Sequence, residues 1–349
     1  MRVVITGASG NVGTALVRRL AEEPAVDSVV GLSRRMPSWR PPKTRWVPAD
    51  VSTDDLTETF RGADVVVHLA WLFQPTHRPE VTWQANAVGS VRVFEAVARA
   101  EVPAVVYASS VGTYSPRTGL APVDESWPTH GWSEAAYSRE KAYVERVLDH
   151  HQALHPDRRV VRMRPAFIFT ERSAVAQRRI FLGPFFPQRI VQPGWVPVVP
   201  DPGGLRLQTL HTEDAADAYA RAVVRPVTGA FNLAADPVLD MPAIASTLGA
   251  RTVKVPASVA RAGLAAGWHA HLVPASPQLF DLVTRIPMLD STRAREVLGW
   301  APRHDALDAV RAFLAGLRSG KGGPTPPLAP ETGGWLRGHE FATGVGERP

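Results

Sequence analysis

VVITGASGNVG, residues 3–13, is the stretch that decides the fold of this chain. Its short apolar run passes directly into three closely spaced glycines, and an amphipathic helical pattern over Thr14–Glu23 follows. Glycine permits a tight turn after a strand and lets the backbone approach a pyrophosphate, which the N-terminus of the helix attracts. Because the strand before and the helix after are both present, the pattern predicts a dinucleotide-binding loop rather than a purely structural turn.

The composition is that of a globular enzyme. Of the 349 residues, 45% are apolar and 21% are charged, which suits one large or two ordinary domains. The absence of cysteine excludes disulfides and thiolate metal ligands, and the sequence predicts no metal site. Because the chain opens on a core strand and has no apolar run long enough to span a bilayer, we expect a cytoplasmic protein without a signal peptide or membrane attachment.

The net charge of +6 comes from an excess of arginine. These arginines are scattered without a basic run, so we predict no nucleic-acid partner, since such proteins usually carry a clustered basic stripe. Some positive charge is expected near a cofactor that carries phosphates. The expected partner is a small-molecule substrate.

Strand and helix patterns alternate through the first half of the chain, which predicts a parallel sheet with helices on both faces. We expect an α/β fold, a Rossmann-type doubly wound parallel sheet with a smaller, mostly helical C-terminal substrate domain. The expected strands are Val3–Ile5, Ser28–Leu32, Thr44–Pro48, Val65–Leu69, Ala104–Ala108, Val160–Arg164, Leu207–His211 and Phe231–Leu233. The expected helices around them are Thr14–Glu23, Asp54–Phe60, Val81–Ala100, Ala135–His155 and Glu213–Val224.

The parts of the chain differ in composition. Residues 1–165 are expected to form the dinucleotide-binding domain, to which residues 207–235 return. Residues 166–206, rich in Pro, Phe and Arg, and residues 236–318 are expected to form the substrate-binding domain. Residues 319–349 are dense in Gly and Pro, which predicts a poorly ordered or extended tail. Its apolar anchors would be Trp335, Leu336 and Phe341.

Tyr137 and Lys141 form the second informative pattern. They lie four residues apart on the predicted helix Ala135–His155 and therefore share one face. A tyrosine hydroxyl titrates at about 10, too high for a base at neutral pH, and a nearby ammonium lowers that pKa. A tyrosine tuned in this way can donate or accept a proton while a hydride moves. The alternative is an ordinary amphipathic helix with one aromatic and one basic residue.

Two serines follow the predicted strand Ala104–Ala108, namely Ser109 and Ser110. In a parallel sheet, residues at the carboxyl ends of strands line the ligand crevice. A serine hydroxyl there can hydrogen-bond a substrate carbonyl or alcohol. The alternative is that the serines cap a helix or form a turn.

Together these residues resemble the short-chain dehydrogenase/reductase superfamily, in particular its extended branch, the NAD-dependent epimerase/dehydratase family. The resemblance spans about residues 1–317 and rests on motifs that occur in the family's order. They are TGASGNVG at 6–13, Asp50-Val51, His68-Leu69-Ala70, Asn86, SSVGTY at 109–114, YSREK at 137–141, Arg164-Pro165, HTED at 211–214 and LGWAP at 298–302.

The resemblance implies roles for individual residues. Tyr137 is the acid/base, Lys141 lowers its pKa and holds the nicotinamide ribose, and Ser110 orients the reacting oxygen. Asn86 would support the helix near Lys141, with a helix N-cap as the alternative. Family members often form homodimers through the two long helices. The residues expected to contact the cofactor are Gly7, Ser9, Gly10, Asn11, Val12, Gly13, Ser33, Arg34, Arg35, Asp50, Val51, Leu69, Ala70, Asn86, Ser109, Tyr137, Lys141, Pro165 and Phe167.

The end of the second predicted strand bears on the choice of cofactor. An acid at this point usually holds the adenosine ribose of NAD. Here Ser33 takes that place and is followed by Arg34 and Arg35, and arginine can clamp a 2′-phosphate through its planar fork. We therefore expect NADP to be preferred, with NAD as the alternative. Solvated loop charges are the plainer interpretation of the two arginines.

The substrate is less well indicated. Sugar-nucleotide members of the family often carry an arginine four residues before the histidine of the HTED motif. Leu207 stands there, and the adjacent Arg206 would point to the opposite strand face. Other arginines could supply a phosphate clamp or form a solvated helix face, namely Arg172, Arg178 and Arg179.

Aromatic residues surround the expected cleft. They favour a hydrophobic or aromatic carbonyl compound as substrate, although an ordinary core beneath long loops would look the same. These residues are Trp71, Phe73, Trp127, Trp132, Phe167, Phe181, Phe185 and Phe186.

Three functions remain open. The first is an NAD(P)-dependent oxidoreductase of the extended short-chain dehydrogenase/reductase type, which transfers hydride at a carbonyl or secondary alcohol with Tyr137 as acid/base. The second is an NAD-dependent sugar-nucleotide epimerase or dehydratase that returns the hydride to the same substrate. The third is a non-catalytic dinucleotide-binding regulator, which would have no need of an acid/base. Leu207 and the Ser33-Arg34-Arg35 strand end favour the first.

Overall fold

Twelve strands and thirteen α-helices lie within residues 1–347, which this computed structural model describes apart from the side chain of Arg189. The strands are β1 (Arg2–Thr6), β2 (Ser28–Ser33), β3 (Thr44–Pro48), β4 (Val65–His68), β5 (Ala104–Ala108), β6 (Arg159–Pro165), β7 (Phe167–Phe169), β8 (Val198–Asp201), β9 (Leu207–His211), β10 (Gly229–Leu233), β11 (Ala235–Leu239) and β12 (Arg251–Lys254). The helices are α1 (Asn11–Ala21), α2 (Thr57–Phe60), α3 (Pro79–Trp83), α4 (Gly89–Arg99), α5 (Ala136–Leu154), α6 (Ala174–Gln177), α7 (Thr212–Val224), α8 (Met241–Ser246), α9 (Ala257–His269), α10 (Pro277–Arg285), α11 (Thr292–Glu296), α12 (Ala306–Ser319) and α13 (Gly338–Ala342).

A seven-stranded parallel sheet lies within residues 2–233, in the order β10-β6-β5-β4-β1-β2-β3. β1 lies inside it, between β4 and β2. Val3, Val4 and Ile5 are fully buried, because helices cover both faces of the sheet. α1 and α7 pack on one face, and α4 and α5 pack on the other. The predicted Rossmann-type doubly wound sheet is confirmed.

Residues 166–206 are more regular than their composition suggests. β7 pairs with β9, which also pairs with β11, and the three form a separate small sheet. β8 pairs with β12 in a two-stranded sheet. The sequence did not predict β7, β8, β11 and β12, because each is a short strand with no clear alternation of its own. Of residues 207–235, β10 returns to the main sheet, whereas β9 does not.

Two predicted helices differ from the expectation for physical reasons. The helix expected from Asp54 is reduced to α2, because the Asp55 carboxylate accepts the Thr57 amide in a turn just before it. The helix expected over Val81–Ala100 is divided into α3 and α4 by the π-helical turn Gln84–Val88. Within residues 1–347, no helix combines the length and the apolar character needed to cross a membrane.

The tail, residues 320–347, packs against the protein through other residues than expected. Trp335, Leu336 and Phe341 are 88%, 73% and 47% exposed, so the first two do not anchor it. Thr325 and Leu328 are buried instead. The tail also contains short helical turns, including α13, and therefore is not simply an extended arm.

Candidate active site

The glycine loop joins β1 to α1 and has no room for side chains. Gly7 has a φ of +70°, and a Cβ there would lie 2.6 Å from the Ala70 amide nitrogen. A Cβ on Gly13 would lie 2.4 Å from the Gly7 carbonyl oxygen. Glycine is therefore required at both positions, by backbone conformation at the first and by close approach at both.

The N-terminus of α1 is the part of this loop that suits a phosphate. The helix begins at Asn11, Gly10 is its N-cap, and no side chain caps it. Val12 lies in its first turn, where backbone amides lack intrahelical partners and carry the positive end of the helix dipole. The neighbouring Ser9 carbonyl accepts the Thr325 hydroxyl of the tail at 2.7 Å. The uncapped first turn and the glycine backbone fit the pyrophosphate of a dinucleotide.

His68 ends β4 and is fully buried. Its Nδ1 lies 2.7 Å from Thr6 Oγ1 and its Nε2 lies 2.9 Å from Ser90 Oγ. Burial lowers the pKa of His68 to about 3, so the imidazole is neutral. Both ring nitrogens hold the strand end in place, and Leu69 and Ala70 lie directly against the glycine loop.

The end of β2 carries the residues expected to select the cofactor. Ser33 is buried, and its hydroxyl donates to the Arg35 carbonyl at 3.0 Å. Arg34 Nη1 lies 4.0 Å from the Asp50 carboxylate, and both side chains are partly exposed. Burial and the charge of Arg34 lower the pKa of Arg35. Val51, next to Asp50, packs against the first residue of α4.

Ser110 and Tyr137 come together at the carboxyl end of β5. The Ser110 Oγ accepts the Gly112 amide at 3.0 Å, and the Ser110 side chain is near enough to the Tyr137 hydroxyl to lower its pKa. Gly112 is required here, because a Cβ would lie 2.7 Å from Tyr137 Cε1. The edge of the sheet that carries the glycine loop therefore also carries this pair of hydroxyls.

Aromatic side chains surround Tyr137. Its ring stacks on Phe73, with centroids 4.9 Å apart, and meets the edge of Trp71 at 5.9 Å. Phe181, from residues 166–206, contacts Phe73 at 5.4 Å. The apolar surroundings expected from the sequence are thus present at Tyr137, and they come from two separate segments.

Pro165 and Phe167 flank the turn between β6 and β7. The buried Ala166 between them donates its amide to β10 at 2.9 Å. Phe167 packs around the same apolar cluster as Tyr137, together with Trp127 and Trp132. Both predicted residues therefore lie beside the edge of the sheet that carries Tyr137.

The pKa of Tyr137 is raised in this structure, whereas the sequence predicted that it would be lowered. Burial raises it to about 12, and the neighbouring Ser110 hydroxyl opposes this only in part. Lys141 Nζ lies 2.6 Å from the Ala108 carbonyl oxygen and 3.3 Å from the centroid of the Trp71 ring. Burial lowers the pKa of Lys141 well below its ordinary value. Lys141 therefore does not offset the burial of Tyr137, whose hydroxyl is protonated at neutral pH.

Asn86 lies inside the π-helical turn Gln84–Val88, so the N-cap alternative is wrong. Its side-chain amide donates to the Leu72 carbonyl at 2.8 Å and to Glu140 at 2.6 Å, and its Oδ1 accepts the Leu72 amide at 2.7 Å. Glu140 precedes Lys141 on α5. Asn86 therefore fixes both the loop after β4 and the helix that carries Lys141. Turns of this kind are frequent at functional sites.

Ser109 belongs to a buried ionic network that the sequence did not predict. Glu145 accepts the Ser109 hydroxyl at 2.6 Å and Arg164 Nε at 3.0 Å, and Arg162 lies 3.2 Å from the same carboxylate. Although burial alone would favour the neutral acid, Arg164 holds the pKa of Glu145 below its ordinary value. Because its hydroxyl proton is donated to Glu145, Ser109 has its oxygen lone pairs and its backbone left for a cofactor.

The HTED and LGWAP motifs meet at Asp214, which is 1% exposed. Its carboxylate accepts the backbone amides of Arg303 and His304, each at 3.0 Å. Its carbonyl accepts Nε1 of the buried Trp300 at 2.9 Å. These bonds attach the segment around Trp300 to the first turn of α7.

Arg178 and Arg179 are 2% and 8% exposed, so the expected solvated helix face is wrong for both. Arg178 forms a buried ion pair with Glu340, and Arg179 donates to the Pro327 carbonyl at 2.8 Å. Both partners belong to the tail. The two arginines therefore hold the tail in this structure instead of offering a phosphate clamp.

Sequence relatives identify the family. A model of the NAD-dependent epimerase/dehydratase family matches residues 3–234. An uncharacterised protein of Mycobacterium tuberculosis is 25% identical over 349 residues, which cover 94% of this chain and 86% of that protein. UDP-glucose 4-epimerase of Mycolicibacterium smegmatis is 29% identical over 334 residues, which cover 91% of this chain and 99% of that enzyme.

Solved structures agree with the fold. UDP-glucuronic acid 4-epimerase from Bacillus cereus, in complex with NAD, superposes with a TM-score of 0.67 over 91% of this chain and 99% of its own. Its sequence identity is 15%, so this likeness shows the fold alone. The family model, by contrast, matches well over half of the chain, including the glycine loop and the Ser110, Tyr137 and Lys141 set. The chain therefore belongs to the NAD-dependent epimerase/dehydratase family of enzymes.

Proposed function

We propose that this enzyme transfers hydride between a nicotinamide dinucleotide and a carbonyl or secondary alcohol of a small molecule, with Tyr137 as acid/base. The observation that carries this proposal is the placement of the Ser110 and Tyr137 side chains next to each other at the carboxyl end of β5, where both lie against Gly112. In open α/β sheets, ligands bind outside this edge. The glycine loop lies at the same edge, so a dinucleotide and a substrate oxygen would meet there.

The residues of the pair have complementary roles. A bound dinucleotide supplies or accepts the hydride. In the reductive direction, the Tyr137 hydroxyl gives its proton to the carbonyl oxygen as hydride adds to the carbonyl carbon, which leaves an alcohol and a phenolate. Ser110 donates a hydrogen bond to the same oxygen, and the phenolate then regains a proton from solvent. Because the pKa of Tyr137 is about 12, the hydroxyl is already in the form that reduction requires.

The proposed cofactor is NADP. The glycine loop and the first turn of α1 would hold the pyrophosphate, and Lys141 would hold the nicotinamide ribose. At the end of β2, Ser33 offers no carboxylate for an unmodified ribose, and Arg34 and Arg35 offer positive charge for a 2′-phosphate. Leu207 and the aromatic side chains around Tyr137 support an apolar carbonyl compound as the substrate.

A second candidate is an NAD-dependent sugar-nucleotide epimerase or dehydratase. The relative from Mycolicibacterium smegmatis that aligns over 91% of this chain is named UDP-glucose 4-epimerase. Such an enzyme would keep its cofactor and return the hydride to the same substrate. Leu207 and the engagement of Arg178 and Arg179 by the tail weigh against a diphosphate site of the usual kind.

The two candidates differ in what happens to the cofactor, and this difference supplies the test. The nucleotide released on denaturing freshly purified protein is identified by mass spectrometry, and the emptied protein is titrated with NADPH and NADH. NADPH oxidation is then followed with aromatic and aliphatic ketones and aldehydes, and sugar-nucleotide conversion is followed without added cofactor.

For a reductase, we expect little bound nucleotide, tighter binding of NADPH than of NADH, and carbonyl-dependent oxidation of NADPH. Stoichiometric bound NAD, with conversion of a UDP-sugar that needs no added cofactor, would establish the second candidate instead. Failure to bind either dinucleotide would overturn both.

A further inference from the structure

Two histidines and a glutamate converge where the first turn of α7 meets the C-terminal segment. His211 ends β9, Glu213 lies in the first turn of α7, and His304 lies just before α12. One ligand atom from each lies within 4.8 Å of those of the other two, and the imidazole centroids are 4.1 Å apart. We propose that these three residues bind a divalent transition-metal ion, with Zn²⁺ as the best match to their chemistry.

The donor set suits this class of ion. Imidazole nitrogens and a carboxylate oxygen are ligands that Zn²⁺ and its neighbours bind well. Three protein ligands would leave the fourth position of a tetrahedral zinc site to water. Asp308 adds negative charge near the rings, and Arg18 is the cation that faces Glu213.

A buried carboxylate orients one of the two rings. His304 Nδ1 lies 3.0 Å from Asp214 Oδ2, and Asp214 is itself fixed by the backbone amides of Arg303 and His304. This contact leaves His304 Nε2 as the ligand atom. Histidines that bind metals almost always give their other ring nitrogen to such an acceptor, which fixes the tautomer and the orientation of the ring.

The other ring must give up a weak contact. His211 Nδ1 accepts the Glu213 amide at 3.4 Å, a long helix-capping bond. Ligation through Nε2 would place the ring proton on Nδ1 and displace this bond. A long capping bond contributes much less than a zinc–imidazole bond, so metal binding can outweigh its loss.

The position of the site suggests what the metal would do. Thr212 lies between the proposed ligands His211 and Glu213. Its hydroxyl donates to Asn11 Oδ1, at the N-terminus of α1, at 3.1 Å. His304 belongs to a segment far along the chain. The ion would therefore tie the C-terminal segment to the residues beside the glycine loop. It would stabilise this junction and take no part in hydride transfer, because it is bound by none of Ser110, Tyr137 or Lys141.

The test measures metal binding directly on the untagged, full-length protein after treatment with EDTA and gel filtration. Zn²⁺ is titrated in competition with a chromophoric chelator, and Co²⁺ is added separately for its visible spectrum. We expect one equivalent of Zn²⁺, tetrahedral Co²⁺ bands and a higher Tm with metal. His304→Ala should weaken Zn²⁺ binding by at least about tenfold. His269→Ala, which removes a histidine outside the site, should leave the affinity unchanged.

Binding of much less than one equivalent, or equal affinity in His304→Ala and the unmodified protein, would overturn the proposal. His211→Ala also removes the cap of α7 and is therefore a weaker choice of variant. Glu213→Gln leaves both rings and the cap bond in place, so it supplies an independent test with the same expected tenfold loss. Because the readout is metal binding, its failure would leave the proposed hydride transfer untouched.

Discussion

Two regions of the molecule contrast with each other, the ends of the strands and the tail. On the strand-end side, the glycine loop and Ser110, Tyr137 and Lys141 lie on regular elements and follow recognisable spacings. On the tail side, residues 166–206 and 320–347 meet through contacts between distant parts of the chain, such as the buried Arg178 and Glu340 pair. The candidate catalytic groups therefore lie on regular elements, whereas the packing of the tail depends on contacts between segments that are far apart in the sequence.

The largest effect is expected on the strand-end side, from Tyr137→Phe. This change removes only the hydroxyl beside Ser110, so kcat should fall by roughly 10²- to 10⁴-fold, the usual contribution of a positioned acid/base. The dinucleotide affinity should change little, because the glycine loop is untouched. Steady-state kinetics and a fluorescence titration with the cofactor measure both quantities.

Tyr143→Phe is the matched control, since it makes the same change on the same helix at a side chain that is 41% exposed. It should leave kcat within about twofold. Equal activity in Tyr137→Phe and Tyr143→Phe would refute the role of Tyr137.

The second largest effect is expected on the tail side, from Glu340→Gln. This change leaves the Arg178 guanidinium, 2% exposed, without its charged partner. Breaking a buried pair in this way typically costs about 3–5 kcal/mol. We expect a lower Tm and loss of amide protection across residues 320–347, measured by hydrogen exchange.

Glu58→Gln provides the comparison, because Glu58 and Arg61 form a pair whose side chains are 80% and 62% exposed. An exposed pair is screened by solvent and contributes little to the free energy of unfolding. If Glu340→Gln and Glu58→Gln lowered the Tm equally little, the ion pair with Arg178 would not hold the tail.

The strand-end side could be predicted because its signals are local. The strand, glycine turn and helix are contiguous, and a four-residue spacing puts Tyr137 and Lys141 on one helix face. The same spacing continues to Glu145 and could have indicated that buried carboxylate as well. The pKa of Tyr137 could not be predicted, because it depends on burial by side chains from other segments, such as Phe73 and Trp71.

The tail side had no such signal. Gly and Pro are frequent in disordered segments and also in packed irregular ones, so composition could not distinguish the two. Trp335 was a reasonable anchor by residue type and is nevertheless exposed. The actual anchors are a threonine and a glutamate, Thr325 and Glu340, whose partners are a backbone carbonyl and an arginine far away in the chain.

A third prediction concerns stability in acid. It tests the part of the molecule around the main sheet, where His68 on β4 and His151 on α5 are buried. Burial lowers the pKa of His68 to about 3 and that of His151 to about 4. In the unfolded chain both would take up protons near their ordinary value of about 6.5. The unfolded state therefore binds more protons at mildly acidic pH, and the free energy of unfolding should fall as the pH drops below that value.

The free energy of unfolding should fall by up to about 1.4 kcal/mol per pH unit for each histidine. The decrease should level off once the histidines of the folded form are protonated as well. Urea unfolding between about pH 8 and pH 4 measures it. His151→Leu should flatten the curve by one histidine's share, since His151 Nε2 has no hydrogen-bond partner to lose. Parallel curves for the variant and the unmodified protein would contradict this assignment.

The smallest effect is expected where the two sides approach each other, at the end of β2. Arg34 is paired weakly with Asp50 at 4.0 Å, and the charge of Arg35 acts on Arg179, which carries the tail. If the two arginines select a 2′-phosphate, Arg34→Ala with Arg35→Ala should lower the NADPH affinity by about tenfold and leave the NADH affinity almost unchanged, because only NADPH presents that phosphate. Arg45→Ala on β3, an exposed arginine nearby, should change neither affinity. An unaltered ratio of the NADPH and NADH affinities in the double variant would mean that the end of β2 does not select NADP. That result would favour the epimerase candidate with bound NAD.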